Sequence, residues 1–116
     1  MRNLSLSSFI VFFLLISTAI AQPMRDQELR DYLNEYIKVQ NGDDGNLTKA
    51  GMFLGYLRGV LDSLEGTALC SPNNISMEYL LQQVVKYIQN RDQLQREVAA
   101  RTLVFDALRD RFACQR

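Results

Sequence analysis

The sequence predicts an all-α fold, one small domain of four helices closed by a single disulfide. Three observations carry this. Apolar residues recur at three- and four-residue spacing through four successive segments, which is the period of one helical face. No strand-like alternation of useful length interrupts them. Two cysteines, Cys70 and Cys114, both lie in the part of the chain that would remain after export.

The export signal opens the chain. "FIVFFLLISTAI", Phe9 to Ile20, is an apolar run of twelve preceded by Arg2 and ending at Ala19-Ile20-Ala21. A positive start, an apolar stretch of this length and a small-x-small site are the layout of a cleaved signal peptide, whereas a spanning helix needs about 20 apolar residues. No cysteine follows the run to carry a lipid anchor. Cleavage after Ala21 removes 21 of 116 residues and leaves 95, residues 22–116, as one helical domain. A chain of that size buries about 60–65% of its unfolded surface, so a staple or a partner helps it. An exported chain with two cysteines most simply pairs them, Cys70 with Cys114; the alternative is two free buried thiols.

Composition narrows the function. Losing Arg2 leaves 12 basic against 13 acidic residues, so no basic footprint for nucleic acid exists. The chain has no histidine, which removes the commonest general base and transition-metal ligand. With both thiols oxidised, a zinc site and a thiol nucleophile are disfavoured too, and no cofactor is expected. "NGDDGN" loosely resembles a calcium loop but places Gly45 and Met52 where oxygen ligands are needed. It reads as a solvated turn.

The first helix is expected from about Arg25 to Gln40, with Leu29, Tyr32, Leu33, Tyr36 and Ile37 on one face, ending at Asn41-Gly42. Thr48 is the expected cap of a second helix reaching about Leu64, with Gly66 as its stop. Ser76 caps the third, with Ile75 and Leu80 placed as a hydrophobic staple; Met77, Leu80, Leu81, Val84, Val85 and Ile88 form its apolar face. After a turn at Asn90 to Asp92, the fourth is expected over about Gln93 to Phe112, with Leu94, Val98, Phe105, Leu108 and Phe112 on one side. Glu97 and Arg101 fall at i, i+4 spacing, suited to an ion pair.

Two surfaces stand out. In "GMFLGYLRG", Gly51, Gly55 and Gly59 cluster nearly opposite the apolar side formed by Phe53, Leu57, Val60, Leu61 and Leu64. Each helical glycine costs roughly 1 kcal/mol relative to alanine, so this stripe, flanked by Met52 and Tyr56, predicts close backbone packing. The partner is another helix of the same domain or the same helix of a second protomer. The back of the third helix carries Tyr79, Gln82, Gln83, Lys86 and Asn90, nearly uncharged with one aromatic. Such a face suits protein recognition, with Tyr79 as its anchor. The plainer reading is a solvated face with Tyr79 leaning on a neighbouring loop. The sequons at Asn46 and Asn74 matter only in a glycosylating pathway.

"GYLRGVLDSL", then "CSPNNISMEYLLQQVVKYI", then "AARTLVFDALRDRFAC", resembles the type VI secretion amidase immunity proteins, the Tai group, over about Gly51 to Cys114. Arg91-Asp92 and Ala113 stand where that group usually has prolines. The resemblance implies a periplasmic helical protein, often dimeric. Such a protein binds and covers the active-site cleft of a delivered enzyme that cleaves peptide crosslinks of the cell wall. It implies an inhibitor, not an enzyme. The rival is a periplasmic acid-stress chaperone, also helical and disulfide-stapled; a carboxylate-based wall hydrolase is a distant third.

Exported protein should begin near Gln22 by N-terminal mass spectrometry. An intact Met1 start contradicts the signal-peptide reading.

Overall fold

Helix α1 (Asp26–Gln40) and helix α2 (Leu47–Leu64) form an antiparallel pair, followed by α3 (Met77–Asn90) and α4 (Ala100–Phe112). The computed structural model describes residues 22–92 and 95–115. Residues 1–21, where a signal segment is expected, lie outside the described residues, as do Gln93 and Leu94. Among the described residues there are no strands, only isolated bridges, so the all-α expectation holds.

One core joins all four helices. Leu29 and Leu33 of α1, Phe53, Leu57 and Leu61 of α2, Leu80, Val84 and Ile88 of α3, and Leu103, Val104, Leu108 and Phe112 of α4 are buried in it. Burying one such side chain stabilises the fold by about 1.5–3 kcal/mol relative to leaving it exposed. The α1–α2 pair packs most extensively, with the Tyr36 and Phe53 rings 5.1 Å apart. α3 packs chiefly on α4 and touches α1 little along its length. The exception is Arg30, whose Nη1 donates to the Ile88 carbonyl at 2.9 Å.

The α1–α2 turn is held from several sides. Gly42 takes a positive φ of 76°, the left-handed conformation that ends helices at little cost for glycine. Gly45 has no room for a side chain: a Cβ there would lie 2.9 Å from the Glu35 carbonyl oxygen and from Val39 Cγ2. Glu35 accepts from the Asn46 N–H at 2.6 Å and from Lys38 Nζ at 2.8 Å. The Lys38 hydrogen bond first, then that from Asn46, hold its carboxyl below the ordinary value. The sign follows: a depressed folded pKa stabilises above the unfolded pKa, and the contribution is lost as pH falls through the folded one. The cap of α2 is Asn46, whose side chain accepts from the Lys49 N–H, and not Thr48. Asn46 sits one position before the first helical residue, where a short oxygen reaches that donor; Thr48 already lies inside the helix. Ser76 caps α3 as expected, accepting from the Tyr79 N–H at 3.1 Å.

The fourth helix begins at Ala100, seven residues later than the spacing predicted. Its upstream segment has a better use for its backbone. The Asp26 N–H donates to the Val98 carbonyl at 3.0 Å, and the Ala100 N–H donates to the Met24 carbonyl at 2.9 Å. Both helix starts thus obtain partners for first-turn donors that otherwise have none. Val98 still packs against the core from this segment, so its apolar character was read correctly and its conformation was not. Glu97 lies outside α4 and pairs with Arg25 at 3.6 Å, not with Arg101.

Cys70 and Cys114 are bonded, with an S–S distance of 2.05 Å. Around the bond, the Cys70 N–H donates to the Phe112 carbonyl at 2.7 Å and the Cys114 N–H to the Ala68 carbonyl at 3.1 Å. Leu69, between them, is 1% exposed. The end of α4 is thereby fixed to the connection leaving α2.

The bond closes a sequence separation of 44 residues. Replacing both cysteines by serine should therefore lower stability by about 4 kcal/mol on chain-entropy grounds, measured by urea unfolding. A change below about 1 kcal/mol would mean that the backbone bonds and Leu69 hold the junction without the staple.

Candidate functional site

The outward side of α3 is not one patch. Its two edges face different neighbours. Gln82 and Lys86 lie on the edge toward α1, where they line a groove of about 410 Å³ with Tyr36, Gln40, Glu78, Leu81, Val85 and Gln89. The groove exists because α3 is seated on α4 and stands apart from α1. Leu81 and Val85, which the periodicity assigned to the core face, are only half-buried.

Tyr79 leans the other way. Its hydroxyl accepts from Arg111 Nη1 at 2.8 Å, and its ring is partly buried against the core. The neighbour that Tyr79 leans on is thus α4 and not a loop, and α4 supplies the ring with packing and a charged donor. Gln83 is half-buried and Asn90 exposed. Periodicity found the face, but not Arg111, Tyr36 or Gln40, because their nearness depends on how α1 and α4 flank α3; Glu78 and Gln89 lie on α3 itself, one turn from Gln82 and Lys86, and helical spacing alone could have found them.

The glycine stripe of α2 has no neighbour among the described residues of the domain. A Cβ placed on Gly51, Gly55 or Gly59 would meet nothing within 4 Å, and all three residues are exposed. The expectation of a helix of the same domain packed on the stripe is therefore overturned: the core side of α2 already takes up α1 and α4. Met52 beside it is 45% exposed. Tyr56, half-buried, lies off the stripe in an apolar groove of about 410 Å³ with Val60, Ser63, Leu64, Arg101 and Phe105. Burial pushes the Tyr56 hydroxyl pKa up, opposed by a hydrogen bond from the Arg101 backbone.

Elsewhere, a polar cleft of about 320 Å³ lies over the start of α1, lined by Asp26, Arg30, Asp31, Gln95 and Glu97. Asp26 is 5% exposed; its Oδ2 receives the Val98 N–H at 3.4 Å, and its Oδ1 has no hydrogen-bond partner among the described residues. Among the described residues no group of three or more His, Cys, Asp or Glu is placed to hold a metal, and no helix is long and apolar enough to cross a membrane.

These features define a small helical protein closed by one disulfide. Residues 25–114 match the family model of the Rap1a immunity proteins, and the chain belongs to that family. Membership implies a cognate effector protein as partner and inhibition by binding. No curated protein and no solved structure matches significantly.

Because the glycine stripe is open, Gly55→Leu should not lower the melting temperature. Exchanging glycine for a better helix former contributes up to about 1 kcal/mol. A fall of several degrees by circular dichroism would mean that a part of the chain does press on the stripe.

Proposed function

We propose that the protein is exported, loses residues 1–21, and in the periplasm binds a type VI-secreted amidase that cleaves peptide crosslinks of the wall. It acts by covering the enzyme's active-site cleft, as a homodimer, and catalyses nothing itself. The observation that carries this reading is the immunity-family match over residues 25–114. The amidase as target rests on the resemblance of the segments from Gly51 to Cys114 to the Tai group.

For the effector contact we favour the α4-facing edge of α3, Tyr79, Gln83 and Asn90 together with Arg111. The Tyr79 ring is held by its packing and by Arg111, so its exposed edge loses little freedom on binding. Such preorganisation removes part of the entropic cost of association, and aromatic and arginine side chains are common interface anchors. Among binding proteins, an acid-stress chaperone would instead need to expose apolar surface to many unfolded clients. The family match favours one folded client.

The test is co-purification with, and titration of, the amidase encoded beside its gene. Release of peptidoglycan fragments should stop at a stoichiometric ratio, and the protein alone should release none. Fragment release by the protein alone would contradict the reading. So would suppression of client aggregation at acid pH without binding of any amidase.

A further inference from the structure

We propose that the polar cleft over the start of α1 binds a free α-amino acid, its ammonium on Asp26 and its carboxylate on Arg30. The site is separate from the effector contact proposed above, and it is tested on the protein alone.

The first observation is a buried charge without a counter-charge. Asp26 opens α1 and lines the cleft, yet it is 5% exposed. Its Oδ2 receives the Val98 N–H at 3.4 Å, and its Oδ1, shielded from bulk solvent, has no partner among the described residues. Aspartate is almost never buried this far unless it is paired, and a buried polar atom left unsatisfied costs the desolvation of that group. The N-terminal end of α1 offsets part of the charge without supplying Oδ1 a hydrogen bond.

The second observation is where the nearby cations are spent. Arg25 is engaged by Glu97 at 3.6 Å, and Lys49 by Asp31 at 2.7 Å. Arg30 lies one turn along α1 from Asp26, the spacing of a helical ion pair. Its Nη1 instead donates to the Ile88 carbonyl at 2.9 Å, and no Asp26–Arg30 ion pair forms among the described residues. Of the charges lining the cleft, Asp26, Arg30, Asp31 and Glu97, the existing pairs therefore leave one carboxylate and one guanidinium without an opposite charge.

A ligand that completes both carries an ammonium and a carboxylate close together. In an α-amino acid one carbon separates them, which matches two side chains from adjacent turns of one helix. The ammonium gives Asp26 a charged donor, and the N–H groups that Arg30 does not spend on Ile88 form a fork that fits a carboxylate. The cleft, about 320 Å³, leaves space for the ligand's side chain. Its amides, Gln27, Asn34 and Gln95, are exposed, so they can move aside as the ligand reaches Oδ1 and can hydrogen-bond it afterwards. A divalent metal matches less well, since among the described residues no three His, Cys, Asp or Glu are placed to hold one.

The test is isothermal titration calorimetry of the exported protein at neutral pH with L-alanine, ethylamine, propionate and alanyl-alanine. Two charge-assisted contacts set the L-alanine Kd at about 1 mM or below. Ethylamine and propionate each keep one contact, and alanyl-alanine holds its charges a peptide unit apart; each should bind at least about tenfold more weakly. Asp26→Asn keeps an acceptor for the Val98 N–H but loses the charge, and Arg30→Gln loses the guanidinium. Each should weaken L-alanine binding about tenfold or more, with circular dichroism as the folding control. Should Asp26→Asn not fold, amide NMR of the unaltered protein decides the same point, because L-alanine should shift the Gln27 and Val98 resonances with the calorimetric Kd. No heat and no shift with L-alanine at about 10 mM, well above the expected Kd, overturns the proposal. Folded variants that bind as the unaltered protein does also overturn it. Ethylamine binding as tightly as L-alanine would remove Arg30 from the site, and tighter binding of alanyl-alanine would replace the amino acid by a peptide; either result contradicts the assignment.

Discussion

The tie between the end of α4 and the connection leaving α2 is the constraint on which the rest of the structure depends. α3 has one substantial neighbour, α4. Wherever α4 is held, α3 follows. The Cys70–Cys114 bond, the flanking hydrogen bonds from Cys70 and Cys114, and the burial of Leu69 fix the last turn of α4. At its other end, α4 is fixed by the Ala100 N–H on the Met24 carbonyl. With both ends tied, α3 is carried at a set distance from α1, and Arg30 reaching Ile88 bridges the gap. A groove between α1 and α3 is the geometric consequence.

This explains how a short chain keeps a surface available. A domain of this size has a limited core, and full closure of α3 onto α1 would bury Leu81, Val85 and Tyr36 at the cost of a recognition surface. Instead the staple contributes stability that a larger core would otherwise have to provide. The α1–α2 pair is similarly closed by local means, through Gly45 packed on α1, Glu35 on Asn46, and the Lys49–Asp31 ion pair at 2.7 Å.

Much of the fold was legible because it is local. The periodic faces of the first three helices, Ser76 as a cap, Gly66 with its φ of 81° just past α2, and the disulfide each follow from a few neighbouring residues or from a cysteine count; on α4 only Leu108 and Phe112 of the expected face are buried, and Leu103 and Val104 take the place expected of Phe105, which is half-buried. The failures are non-local. Gln95 to Ala99 looked helical because Val98 keeps the apolar period, but distant backbone groups at Met24 and Asp26 claim its hydrogen bonds. The glycine stripe announced close packing, yet nothing in one chain says whether the neighbour lies in the same molecule. The α3 face was legible as unusual, whereas its division into two edges was not. Arg111 and Tyr36 are 32 and 43 positions from Tyr79 in the chain, and only the packing of α4 and the stand-off of α1 bring them into play.

The role proposed for α3, carried on a stapled α4, is that of the recognition element of an immunity protein. Amide hydrogen exchange of the chain alone and saturated with its amidase tests this most directly. Exchange should slow along α3 and at the Arg111 end of α4, while the outward face of α2 is unchanged. Slowing confined to the α2 glycine face or to the loop from Asn41 to Asn46, with α3 unaltered, would contradict it.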